Sequence, residues 1–325
     1  MKKLGGIGLL LLLAAGVWVN SLRPAPNAEA REAIGQEMVM VTSCEGNPCD
    51  SLLTVISYEN PIRIHTSENY IGPLVILIAS AGREISDFNE LGSTLTKAGY
   101  STIGIEAIGI KDDLPIQSIQ TPTLTLFTNQ IMQGLGGHPS SPDGFPVVII
   151  GHAYGNRVAR NVSLKIPSYG GKNYVVQGVI LLAAGGQVPP DPEADAALKR
   201  IFNPLKSYRS RMKDVRTAFF AEGNEIPPHW KRGWHTKTAI AQGKAKGDGD
   251  ESWHCAGGVP MLIVQPMQDK IAPPANAYTL KEKCPQEVEI VEVQNAGHAL
   301  LPEQPEAVAK AVLDFLTKHH PTENK

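Results

Sequence analysis

The pentapeptide Gly151-His152-Ala153-Tyr154-Gly155 constrains this chain more than any other stretch of its sequence. It follows the apolar run Phe145 to Ile150 and precedes the amphipathic stretch Asn156 to Ile166, so strand, sharp turn and helix come in that order. Two glycines flanking such a turn let the strand and helix backbones approach closely, and the central residue is held out at the top of a sheet. The frame is complete. Its centre is an alanine, whose methyl group has no lone pair and can attack nothing.

On either side of that turn the hydrophobic pattern switches between β and α periods. Short strands are expected at Glu37 to Ser43 and Leu52 to Tyr58, and the continuous apolar run Pro73 to Ala79 reads as a strand buried on both faces. That run leads into Ser80-Ala81-Gly82-Arg83 and a helical pattern with Phe88, Leu91, Leu95 and Ala98 on one side, closed by Gly99. Further strands are expected at Ser101 to Ala107, Phe145 to Ile150, Tyr174 to Ala184, Pro260 to Gln265 and Val288 to Gln294. The intervening helices are expected at Leu124 to Gly134, Gly155 to Ile166, Pro274 to Lys283 and Pro305 to His319. This alternation predicts an α/β fold with a mainly parallel sheet flanked by helices on both faces. From Val188 the character changes. Pro189-Pro190-Asp191-Pro192 breaks the pattern, and residues 193 to 257 carry more charge, three tryptophans and no strong β run, as an inserted helical cap does. The expected organisation is a leader at 1–30, the first part of the core at 37–190, the cap at 191–257 and the second part of the core at 258–320.

With 325 residues and 42% hydrophobic content the chain can bury one large core. It opens with Met1-Lys2-Lys3, an uncharged apolar run from Leu4 to Val19 and the small-residue site Ala28-Glu29-Ala30, the layout of a secretory leader cleaved after Ala30. The run is shorter than the roughly 20 residues that span a bilayer. A periplasmic or secreted location is expected, the alternative being an uncleaved leader that anchors the protein in the inner membrane. Removing residues 1 to 30 takes away Lys2, Lys3, Arg23 and Glu29 and moves the formal charge from −2 to −4. Nothing basic remains to suggest nucleic acid or an anionic membrane surface. The four cysteines suit an oxidising compartment, with Cys44 and Cys49 bracketing a short turn and Cys255 and Cys284 flanking a strand and helix. Two disulfides in that order are expected; four cysteines allow three pairings, and four free thiols are the alternative. The spacing does not suggest zinc.

Two residues beyond late strands complete a pattern with the turn. Asp269 lies in Gln265-Pro266-Met267-Gln268-Asp269-Lys270, and His298 lies in Asn295-Ala296-Gly297-His298-Ala299. With these in place the chain resembles the α/β-hydrolase superfamily over nearly all of residues 37 to 320. The resemblance is nearest to bacterial members whose elbow reads Gly-His-Ala-aromatic-Gly-Asn. It implies the chain order nucleophile, acid, histidine, with Ala153 at the nucleophile position, Asp269 as the acid and His298 as the base. It also implies an oxyanion hole made by the backbone N–H of Tyr154 and one from Ala81 or Gly82. The usual His-Gly of that loop is replaced here by Ser80-Ala81-Gly82.

Without serine a triad loses on the order of a million-fold in turnover. A His298 and Asp269 pair can still act as a general base on water or on an acidic substrate proton, typically worth about 10² to 10⁴. Non-covalent hydrolysis, carbon–carbon cleavage, lyase and cofactor-free oxygenase chemistry therefore stay open, and the expected partner is a small-molecule substrate or ligand. No cofactor or metal is implied, since neither a phosphate-cradling glycine loop nor a metal motif is present. His152 is expected on the pocket floor and Ser80 in the facing loop. Phe219, Phe220, Trp230, Trp234 and Trp253 of the cap either roof an apolar pocket or form the cap's own small core. The competing reading is a ligand-binding or envelope interaction protein that kept the fold and lost the chemistry.

Overall fold

The computed structural model of the chain describes residues 37–42, 51–57, 72–100, 102–107, 109–110, 123–135, 144–166, 174–203, 205–245 and 251–320. The leader and the pair Cys44 and Cys49 lie outside the described residues. The strands are β1 (Glu37–Thr42), β2 (Ser51–Ser57), β3 (Leu74–Ile78), β4 (Thr102–Ile105), β5 (Phe145–His152), β6 (Tyr174–Leu182), β7 (Met261–Pro266) and β8 (Val288–Val293). They form one sheet in the order β1-β2-β4-β3-β5-β6-β7-β8. Pairing is antiparallel from β1 through β2 to β4 and parallel from β4 to β8.

The central parallel strands are apolar on both faces because helices cover both. Helices α1 (Asn89–Lys97), α2 (Leu124–Leu135), α3 (Tyr154–Lys165), α7 (Ala275–Lys283) and α9 (Pro305–His319) flank the sheet, and a short α8 (Leu300–Glu303) precedes the last of them. Alternate residues of β3 and the alanine that follows it enter different cores. Leu74, Ile76 and Ile78 join Phe127 and Ile131 of α2 and Val158 and Val162 of α3. Val75, Leu77 and Ala79 join Leu91 and Leu95 of α1 and Val308, Val312 and Phe315 of α9. At the sheet's edge, β8 buries Val288 and Val293 while Glu289, Val291 and Glu292 are exposed.

Between β6 and β7 lies the inserted helical cap: α4 (Pro192–Ile201), α5 (Tyr208–Phe219), a 3-10 turn at Pro228–Lys231, α6 (Thr236–Lys244) and a 3-10 segment at Glu251–Gly258. The proline-rich break at its start does more than interrupt. The Asp191 carboxylate accepts from the N–H groups of Glu193 and Ala194 at 3.0 Å, and Pro192 occupies the first helical turn, where a missing N–H is harmless. The cap has a core of its own, in which Ile201, Val215, Phe219, Phe220, Trp230 and Trp234 meet Ala299 of the main body.

Cys255, at the cap's return to the sheet, is disulfide-bonded to Cys284 at the end of α7, as expected. The bridge closes a loop with a sequence separation of 29, for which chain-entropy arguments give about 3 to 4 kcal/mol of stabilisation. Replacing both cysteines by serine is expected to lower the unfolding free energy by up to that amount, read from urea titrations of the variant beside the native protein.

Candidate functional site

The turn at the end of β5 is built from backbone contacts. β5 runs two residues further than the apolar run suggests, because Gly151 and His152 pair with Leu181 and Leu182 of β6. A Cβ on Gly151 would lie 2.4 Å from the carbonyl of Gly155, and one on Gly155 would lie 2.4 Å from the carbonyl oxygen of Ile78. Glycine at both positions is therefore a steric requirement. Between them Ala153 is held at φ 51° and ψ −108°, a strained conformation for a residue with a Cβ, worth about 1 to 3 kcal/mol. Its N–H donates to Leu182 O at 3.0 Å and its carbonyl accepts from Asn156 N at 3.1 Å. The Asn156 side chain, fully buried, donates to Leu182 O and Ala183 O at 2.8 and 3.2 Å.

Asp269 and His298 are brought together from the loops after β7 and β8. Nδ1 of His298 lies 2.8 Å from Oδ2 of Asp269, and both residues are 4% exposed. Oδ1 of Asp269 accepts from the N–H groups of Ile271 and Ala272 at 2.8 and 2.7 Å, so the carboxylate is oriented before it meets the imidazole. With Nδ1–H donating to the carboxylate, Nε2 of His298 is the nitrogen that carries the lone pair. The ring packs against Phe219 of the cap, centroids 5.3 Å apart.

His152 supports this arrangement from below. Its Nε2–H donates to the backbone carbonyl of His298 at 2.8 Å, while Nδ1 is buried without a partner among the described residues. Burial, with smaller electrostatic effects of His298 and Arg83 in the same direction, holds the imidazole down at about 3. It remains neutral at ordinary pH and acts as a strut rather than a base.

Residues that the sequence pattern did not single out fasten the site to the cap. Glu303 accepts from Gly297 N and Ala221 N, each at 2.7 Å, and from the Asn224 side chain, joining the His298 loop to the end of α5. Ala299 N donates to Phe219 O at 2.8 Å. On the other side, the loop after β3 is clasped residue by residue. Gly82 donates its N–H to Oε1 of Gln242 at 2.8 Å and accepts from His235 N at 2.9 Å. Arg83, 1% exposed, pairs with Asp87, donates to the carbonyls of Arg232 and Gly233, and lies 4.4 Å from the ring centroids of both Trp230 and Trp234. Glu84 pairs with His235 at 2.9 Å. The spacing of Arg83 and Asp87, four residues apart, was the one local signal; Glu303 and Gln242 have none.

These contacts revise several expectations. Gly82 is not an available oxyanion donor in this arrangement, since a cap side chain takes its N–H. Ala81 and Tyr154 make no backbone bond of this kind among the described residues. Ser80 is buried and starts a turn, its carbonyl accepting from Arg83 N at 3.1 Å. Trp230 is fully buried in the cap's core and Trp234 nearly so, leaving neither with surface to line a pocket. Trp253 sits apart, packed against the sheet core with the Arg160 guanidinium 4.8 Å from its ring centroid. Trp230 and Trp234 therefore belong to the cap's own core, packed on Phe219 and Arg83, while Trp253 belongs to the sheet core.

Residues 112–311 match the sequence profile of the alpha/beta hydrolase family. No curated protein sequence matches the chain. Among solved structures, carboxylesterase CesB of Bacillus subtilis is similar at 15% identity and TM-score 0.65, covering 89% of this chain and 95% of its own. A membrane phospholipase A described as a bacterial virulence factor is similar at 18% and 0.65, covering 99% and 100%. An esterase of Thermogutta terrifontis is similar at 18% and 0.62, covering 88% and 100%. At such identities the likeness is one of fold.

Two stability measurements check the site. The folded value of His152 lies below its unfolded value, so its contribution is complete above about pH 6.5 and is lost as pH falls, at up to about 1.4 kcal/mol per unit. Urea unfolding at pH 7 and pH 5 is expected to differ by about 2 kcal/mol on this account. His152→Gln, which keeps a donor for the His298 carbonyl, is expected to flatten that difference. Arg83→Met leaves the Asp87 carboxylate buried without its partner and is expected to destabilise by about 3 to 5 kcal/mol. Adding Asp87→Leu should restore part of that loss.

Proposed function

The chain belongs to the alpha/beta hydrolase family, and we propose that it is an exported enzyme acting on a small or medium, partly apolar carbonyl or ester-type compound through His298 and Asp269, without a serine nucleophile. The observation that carries this reading is the buried His298–Asp269 pair at 2.8 Å, with the second carboxylate oxygen fixed by two backbone N–H groups. A protein that merely binds a ligand has no use for an imidazole oriented in this way. The esterase names of structures with the same fold agree with a carbonyl substrate.

In this mechanism Nε2 of His298 removes a proton from water or from an acidic position of the substrate. Asp269 stabilises the imidazolium that forms and keeps the tautomer fixed. Negative charge developing on the substrate oxygen is received by the N–H groups of Tyr154 and Ala81, which depend on backbone placement and so survive the loss of serine. Ala153 leaves room at the turn for water, and no covalent intermediate forms there. The leader is cleaved after Ala30, and the Cys255–Cys284 bridge suits the oxidising compartment that export implies.

A second reading, a catalytically inactive ligand-binding protein, is favoured by one observation: the N–H of Gly82 is already occupied by Gln242. A panel of activated acyl esters separates the two. Turnover by the native protein is expected, falling at least about 100-fold in His298→Ala, while Ala153→Ser raises ester turnover. A silent native protein with activity in Ala153→Ser alone overturns the catalytic reading in favour of binding.

A further inference from the structure

Beside the turn, at the ends of β3 and β4 and against α2 and α3, lies a cavity of about 20 Å³ whose walls include Ala79, Phe127, Gln130, Tyr154, Val158 and Gln242. It has room for one water-sized atom. Most of its wall is hydrocarbon, yet the polar residues Gln130, Tyr154 and Gln242 line it together.

The chemistry of each is fixed by the bond it already makes. Gln242, 3% exposed, must present Oε1 to Gly82, because a backbone N–H can only donate. Its Nε2, carrying two N–H groups, makes no hydrogen bond among the described residues. Gln130, also 3% exposed, must present Nε2 to the carbonyl of Glu106 at 3.1 Å, and its Oε1 makes no hydrogen bond among the described residues. The Tyr154 hydroxyl is wholly buried and has no partner among the described residues. Burial pushes its ionisation well above the usual phenol value, against a small opposing effect of Arg157, so it remains an O–H. A buried hydroxyl left unpaired is costly, and the carboxamides of Gln130 and Gln242, in the same small wall, are the groups with which it can share a partner.

We propose that this cavity is a binding site for a single hydroxyl-type oxygen, that of water or of a ligand's terminal alcohol. Such an oxygen accepts from Gln242 Nε2 and Tyr154 Oη and gives its own proton to Gln130 Oε1, so all three groups are satisfied at once. A carbonyl oxygen has no proton for Gln130, and a carboxylate brings a charge among hydrocarbon walls with no cation. The side chain of Tyr154 thereby has a role distinct from that of its backbone N–H, and Gln242 links the cap to both. The site stands whether or not His298 turns over a substrate.

The test is a pair of crystal structures of the full-length native protein, one from crystals soaked in methanol, with the variants Gln242→Leu and Tyr154→Phe solved alongside. An oxygen within about 3.2 Å of both Gln242 Nε2 and Tyr154 Oη is expected in the native protein. Methanol taking that place identifies an alcohol site, and water remaining in both crystals identifies water as the occupant; either supports the proposal. Its occupancy is expected to fall below half in each variant. A dry cavity, or an occupant that contacts neither group and persists in both variants, overturns it. That result leaves the His298 chemistry untouched, just as silence in the ester assays leaves this site untouched.

Discussion

The contact between Gly155 and the carbonyl of Ile78 is the one on which the top of the sheet depends. It brings the first turn of α3 against the end of β3, and with the packing of Gly151 on Gly155 it leaves Ala153 a single strained conformation. Nothing in that geometry uses a side chain larger than a methyl group. A turn built from backbone sterics holds its shape whatever small side chain its central residue carries.

What packs above the turn is equally determined. Residues 82 to 84 each hold the cap by a different kind of bond: backbone and carboxamide at Gly82, a stacked guanidinium at Arg83, an ion pair at Glu84. From the opposite side Glu303 does the same for the His298 loop, and its carboxyl is pushed up by burial despite three donors. The cap is thus a wall of the site. Its aromatic cluster meets the face of His298 through Phe219, so the dyad's packing is completed by a segment inserted some 80 residues earlier in the chain.

Legibility in the sequence followed the range of the interaction responsible. Apolar runs such as Leu74 to Ile78 and Met261 to Val264 revealed strands because burial on both faces leaves no polar residue to interrupt them. Asp269 and His298 could be placed because each follows a strand within a few residues, and the direction of the chain then decides which end of the sheet they reach. Gln242 could not. Its partner Gly82 lies 160 residues away, and neither residue's neighbours record the encounter. Trp230 and Trp234 were ambiguous for the same reason: an aromatic residue reads alike whether it faces a ligand, its own core or, as here, a buried arginine. Asp191-Pro192 read as a break because the same residues that end one element also begin a helix.

The covalent link between Cys255 and Cys284 joins the end of the cap to the helix that follows β7. Its chemistry depends on surroundings that the rest of the fold ignores. Chains completing their folding where thiols are kept reduced carry two free sulfhydryls at these positions, one of them wholly buried. Chains that mature in an oxidising space carry a closed ring. The state of this one bond is a chemical memory of where each molecule became native, and it can be read from the mass of a single pair of peptides.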